Sequence, residues 1–175
     1  MAADRAMRAD WAWVKLPLAF VATATAVLLA GAPWPTDMAT LAPAAVAYAA
    51  VFDWALRRPD AFPAGAAFAL GILLDVVSGS VFGLGAMTCV LVHYAAAAQR
   101  RFLGPRGLGH AWLGMAFVAF AVMLLAWAAA SAYVARLQPA GPALAQAALT
   151  AALYPPLAIA FAGLRASVGL GRRDP

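Results

Sequence analysis

The chain has 175 residues, 66% of them hydrophobic and only 11% charged, with a formal net charge of +5 and a mean hydropathy of +0.84. An ordinary soluble domain is about half apolar and about a quarter charged, so the composition points to lipid as the solvent. The basic residues sit in small clusters between apolar runs, which argues for membrane topology and against nucleic acid as a partner. The lone cysteine, Cys89, excludes both an intramolecular disulfide and a cysteine-built metal site.

Several apolar stretches approach the ~20 residues needed to cross a ~30 Å hydrocarbon core, and too little sequence separates them for a soluble domain. One polytopic membrane domain over 1–175 is therefore expected. The first run, Trp11 to Ala32, follows a head carrying Arg5, Arg8 and Lys15 and ends near Ala30-Gly31-Ala32. It has the look of a signal peptide, but the rest of the chain also needs membrane insertion, so it is read as an uncleaved first helix. Pro33-Trp34-Pro35-Thr36-Asp37 breaks it, and Trp34 suits a headgroup-level position.

Helix two is expected over about 40–56, stopping at Arg57-Arg58-Pro59-Asp60. Helix three, about 62–77, ends in Ser78-Gly79-Ser80, and helix four, about 83–98, begins near Gly83. Gln99-Arg100-Arg101 then opens the longest cytoplasmic loop, through Gly104-Pro105-Arg106-Gly107 to His110. Helix five is expected over about 111–133 and helix six over about 143–164, kinked at Tyr154-Pro155-Pro156.

Cytoplasmic loops are enriched in Lys and Arg. With both termini in the cytoplasm, the scheme puts Arg5, Arg8, Lys15, Arg57, Arg58, Arg100, Arg101, Arg106, Arg165, Arg172 and Arg173 inside and only Arg136 outside. A five-helix reading that merges helices three and four ignores the Ser78-Gly79-Ser80 turn signal and pushes Arg100 and Arg101 outside. The fold class is thus an all-α integral membrane protein of six transmembrane helices.

Catalytic signatures are missing: HExxH, GxSxG and P-loop patterns do not occur, and no carboxylate stands at metal-ligand spacing from either histidine. No enzyme, metal or cofactor is expected. Asp75 is the most informative acid, because it lies inside Gly71-Ile72-Leu73-Leu74-Asp75-Val76-Val77, where a carboxylate costs ~2.5–3.5 kcal/mol on insertion scales. Two roles offset that cost. In one, Asp75 accepts bonds from the Ser78-Gly79-Ser80 turn or from the open N–H groups at the start of helix four. In the other, it forms an intramembrane recognition site with the turn's amides.

His93, beside Tyr94, reads as a bundle-interior histidine bonded to a neighbouring helix, or as a ligand contact or proton relay. Asp53 stands four residues before Arg57, at i,i+4 ion-pair spacing. Small residues at one-turn spacing, Gly65 with Ala69 and Gly79 with Gly83, permit close backbone approach, and Gly65, Ala69 and Gly71 are candidates for packing against a partner helix.

The run Gly71-Ile72-Leu73-Leu74-Asp75-Val76-Val77-Ser78-Gly79-Ser80-Val81-Phe82-Gly83-Leu84 closely resembles the G-x-x-x-D-h-x-S-G-x-x-x-G-h segment of the rod shape-determining protein MreD family, where h is apolar. Pro33-Trp34-Pro35, a proline at Pro43, the basic break near Arg57 and the aromatic-proline step Tyr154-Pro155 occur in the same order. The chain departs from the pattern in its Ala-rich helices and in the second proline, Pro156. The resemblance implies a non-catalytic component of the bacterial elongation machinery in the cytoplasmic (inner) membrane, supporting rod shape and lateral peptidoglycan synthesis. It implies an MreC-like bitopic partner, in an assembly with MreB, RodA and a class B penicillin-binding transpeptidase, and a compact bundle similar to the S components of energy-coupling factor transporters. The alternative function is a membrane protein of S-component type that binds a small molecule or lipid intermediate, its pocket bounded by Asp75, the turn at Ser78, Gly79, Ser80 and Gly83, and Trp34.

Overall fold

The computed structural model describes residues 17–31, 41–79, 81–103 and 106–167. These form six helices and no strand: α1 Pro17–Ala30, α2 Ala42–Arg57, α3 Ala64–Ser78, α4 Leu84–Leu103, α5 Gly107–Tyr133 and α6 Gly141–Ser167. Residues 11–16 of the expected first helix, the Pro33-to-Asp37 break with Trp34, Ser80, and Arg172 and Arg173 of the tail lie outside the described residues.

α2 is the central post. Pro43, in its first turn, presets the helical φ, and from Ala45 to Leu56 every residue is buried. A helix apolar all round belongs inside a bundle. α2 packs chiefly on α4 and α6 and also meets α3 and α5. It reaches α1 through Trp54, whose indole donates to Thr23 Oγ1 at 3.1 Å. The five alanines Ala45, Ala47, Ala49, Ala50 and Ala55 are fully buried, and their small volume lets the surrounding helices close in.

The remaining helices bury one face each. α3 turns Ala67, Leu70, Gly71, Leu74 and Asp75 inward, an i, i+3, i+4, i+7, i+8 pattern, and leaves Gly65, Phe68, Ala69 and Val76 exposed. α5 and α6 are long and apolar enough to cross a membrane, and α1 and α3 are shorter apolar helices. The surface is correspondingly greasy: Leu29 on α1, Val76 on α3, Phe117 and Leu125 on α5, and Ile159 on α6 are all more than half exposed.

One expectation about the connections is corrected. α4 continues to Leu103 and α5 begins at Gly107, so the expected loop from Gln99 to His110 shrinks to three residues. Gln, Arg and Phe do not stop a helix, and Arg100 and Arg101 in the last turn favour its C-terminal dipole. Arg106 Nη1 caps the Phe102 carbonyl at 3.0 Å, and Leu103 fills the space beside Gly114, where a Cβ would come within 2.2 Å of its Cδ1. α6 runs through Pro155 and Pro156 as one helix.

Candidate functional site

α3 and α4 meet backbone to backbone at Gly71. A Cβ built there would lie 2.4 Å from Ala86 Cα and 2.6 Å from the Gly85 carbonyl oxygen, so no other residue fits without parting the helices. That register brings Asp75, one turn further along α3, against the first turn of α4. Its Oδ2 accepts from the Gly83 N–H at 2.8 Å and its Oδ1 from the Gly85 N–H at 2.7 Å, with Ala86 N at 3.4 Å from Oδ2. A carboxylate on one helix thus satisfies open amide groups at the start of the next, where the helix dipole also favours negative charge. Gly85 makes room for it, since a Cβ there would stand 2.4 Å from Asp75 Oδ1.

The turn between them relies on two glycines in the left-handed region, Gly79 at φ +59° and Gly83 at φ +95°. Neither has any atom within 4 Å of a Cβ built on it, so no helix of this chain packs closely on the pair, and what the fold asks of them is conformational. Gly71 is corrected from a partner-helix surface to an internal one, because α4 already occupies it. Gly65 and Ala69 remain on the exposed face of α3, and nothing lies within 4 Å of a Cβ at Gly65.

Beside Asp75 lies a cavity of about 280 Å³ walled by α2, α3, α4 and α5, with Tyr48, Asp75, Ser78 and Thr88 as its polar groups and Leu74 and Met123 among its apolar ones. Thr88 Oγ1 donates back to the Leu84 carbonyl at 2.7 Å. The structure therefore brings Asp75 and Ser78 together at one wall, next to the Gly79–Gly83 turn. His93 is elsewhere: it is buried, its Nδ1 has no hydrogen-bond partner among the described residues, and its ring stands edge-on to Tyr94 at 5.6 Å.

A second polar centre was only half legible. Arg57 Nε donates to Asp53 Oδ1 at 2.8 Å, at the i,i+4 spacing. The same carboxylate is also held by Arg165 of α6 through Oδ2 and approached by the Tyr154 hydroxyl, which donates to Oδ1 at 3.4 Å. Arg165 is buried and its guanidinium lies 5.6 Å from the centre of the Trp54 ring. One carboxylate thus faces two guanidiniums, and the excess positive charge sits where α2 and α6 end, each contributing about half a negative charge from its dipole. The i,i+4 spacing gives Arg57 in advance, whereas Arg165 reads in the sequence only as a cation after an apolar run, and its place beside Asp53 is set by how α6 packs on α2.

Among the described residues no group of three His, Cys, Asp or Glu side chains is placed to hold a metal ion. A family model described as rod shape-determining protein MreD matches residues 7–162, nearly the whole chain. The chain belongs to the MreD family. Membership gives it a role in determining rod shape, and the MreD match spans the Asp75 turn, the Asp53 centre up to Tyr154, and all but the last residues of α6. No curated protein and no solved structure matches the chain.

Proposed function

We propose that this chain is a non-catalytic scaffold of the bacterial elongation complex, spanning the cytoplasmic membrane six times with both termini inside and binding the single span of an MreC-like protein. Through that partner it acts with MreB, RodA and a class B penicillin-binding transpeptidase in lateral peptidoglycan synthesis. The family match over residues 7–162 carries this reading. Support comes from the apolar outer surface and from the arginines: Arg57, Arg58, Arg100, Arg101, Arg106 and Arg165 cluster at the α2, α4 and α6 C-terminal ends and the α5 start, as cytoplasmic residues would. The deciding experiment is depletion in a rod-shaped host. Cells should round up and recover shape when this chain is supplied, and co-purification in mild detergent should retain the bitopic partner. Normal rods after depletion would sink the reading.

The cavity beside Asp75 favours a second reading, a membrane protein of S-component type that binds a small molecule or lipid intermediate. Its volume of about 280 Å³ is close to the lower end of ligand pockets, with few polar groups on a mostly apolar wall. Native mass spectrometry of the purified protein tests it: a retained small molecule supports it, and a bare chain that still rescues rod shape removes it.

A further inference from the structure

The two prolines of α6 have unequal consequences for the carbonyls below them. Pro155 has no N–H for the carbonyl of Ala151, and the chain supplies a substitute: Trp112 of α5 donates its indole Nε1–H to that oxygen at 2.9 Å. The carbonyl of Ala152 loses more. Its i+4 donor would be Pro156 and its i+3 donor Pro155, so neither an α-helical nor a 3₁₀ bond can form, and among the described residues no side-chain donor reaches it. Ala152 and Pro156 are both exposed.

Ala152 is the twelfth of the 27 residues of α6. At 1.5 Å per residue the helix is about 40 Å long, which sets this carbonyl near the middle of a ~30 Å hydrocarbon core. Lipid tails carry no donors, and the headgroups lie more than 10 Å away on either side, so at this depth only protein can supply an N–H or O–H. The same face is also flat: Ala148, Ala152, Pro156 and Ala160 recur one per turn and all are exposed, allowing another helix backbone to come close.

We propose that the face of α6 centred on Ala152 seats a partner's transmembrane helix carrying a hydrogen-bond-donating side chain opposite the Ala152 carbonyl. This rests on the reading of the chain as a membrane scaffold for a bitopic partner, and it assigns the surface and the chemistry of that contact.

The test uses the full chain co-expressed with its MreC-like partner, with photoreactive benzoylphenylalanine introduced at Ala160 or, as a control on a different exposed face, at Phe117. Cross-links to the partner are expected from Ala160 and not from Phe117. Affinity is then measured in nanodiscs. Pro156→Ala returns a backbone N–H to Ala152 and is expected to weaken partner binding about three- to tenfold while raising the chain's own melting temperature. Trp112→Phe, which touches only the inward carbonyl, should leave affinity unchanged. Ala152→Leu should block the complex without unfolding the chain. The proposal falls if Pro156→Ala binds as tightly as wild type, or if Ala160 cross-links only lipid or a second copy of this chain while the partner still co-purifies. Failure of the wild-type pair to form any complex would instead overturn the scaffold reading itself, and this surface with it.

Discussion

Arg165, in the last turn of α6, closes on Asp53 of α2, 112 residues earlier in the chain, and both side chains are buried. The pair fastens the end of the last helix to the central one. Removing one member strands the other charge in a low-dielectric site, which costs far more than the pair itself contributes. Asp53→Asn is therefore expected to lower stability by about 3–5 kcal/mol, read as thermal unfolding in detergent. The double variant Asp53→Leu/Arg165→Met should recover part of that loss, because the only charge left without its partner is Arg57, whose side chain is 30% exposed and can turn toward water. Arg57→Gln should cost less, since its side chain is 30% exposed.

Asp75 supports a different joint. Removing its carboxylate leaves the amides of Gly83 and Gly85 without their acceptor, and bonds to a charged group contribute about 1.5–3 kcal/mol each. Asp75→Ala should destabilise the α3–α4 hairpin by at least that amount. Asp75→Asn should fall between, because it keeps one oxygen and turns an NH₂ toward an N–H. Hydrogen exchange is the more specific reading: the Gly85 and Ala86 amides should exchange faster in Asp75→Ala, while those of the α5–α6 turn stay unchanged. Equal exchange in wild type and variant would mean that the carboxylate does not cap α4.

How far the sequence could be read depended on whether a feature was local. The count of six helices followed from signals that act within a few residues: Arg57-Arg58-Pro59 ends α2, and Ser78-Gly79 separates α3 from α4. The Asp75 segment was equally visible, because a carboxylate in an apolar run demands a nearby donor. Where the helix ended was not visible at Arg100 and Arg101. Those residues mark where apolar sequence stops, yet the backbone continues as helix to Leu103 because cations at a helix C-terminus are favourable. Gly65 and Gly71 looked alike as small residues, and only the tertiary register reveals that Gly71 meets α4 while Gly65 faces outward. Arg165 with Asp53, and Trp112 with Ala151, are set by the same register and have no local signature.

That difference between the two glycines is directly testable. Gly71→Ala forces a Cβ to within 2.4 Å of Ala86 Cα, and backbone atoms cannot step aside as a flexible side chain would. Overpacking of this kind costs about 1–3 kcal/mol and sometimes more. Gly65→Ala meets nothing within 4 Å and gains helix propensity, so it should be neutral or stabilising by up to about 1 kcal/mol. Melting temperatures of the two variants, compared in the same detergent, should fall for Gly71→Ala and hold or rise for Gly65→Ala.

Trp112 of α5 stands in for a backbone hydrogen bond that α6 lacks at Pro155. If the indole N–H replaces the bond that Pro155 removes, its value depends on that proline being present. Trp112→Phe keeps the ring but loses the donor, leaving the Ala151 carbonyl with no α-helical partner, and should cost about 1–3 kcal/mol. With Pro155→Ala in place, the backbone N–H of position 155 again reaches Ala151, so the same Trp112→Phe change should cost little. A double-mutant cycle measured by thermal unfolding should therefore give a coupling of about 1 kcal/mol or more between two residues on different helices. Additive costs would mean that Trp112 stabilises α5 against α6 through ring packing alone, and that α6 tolerates the open Ala151 carbonyl without help.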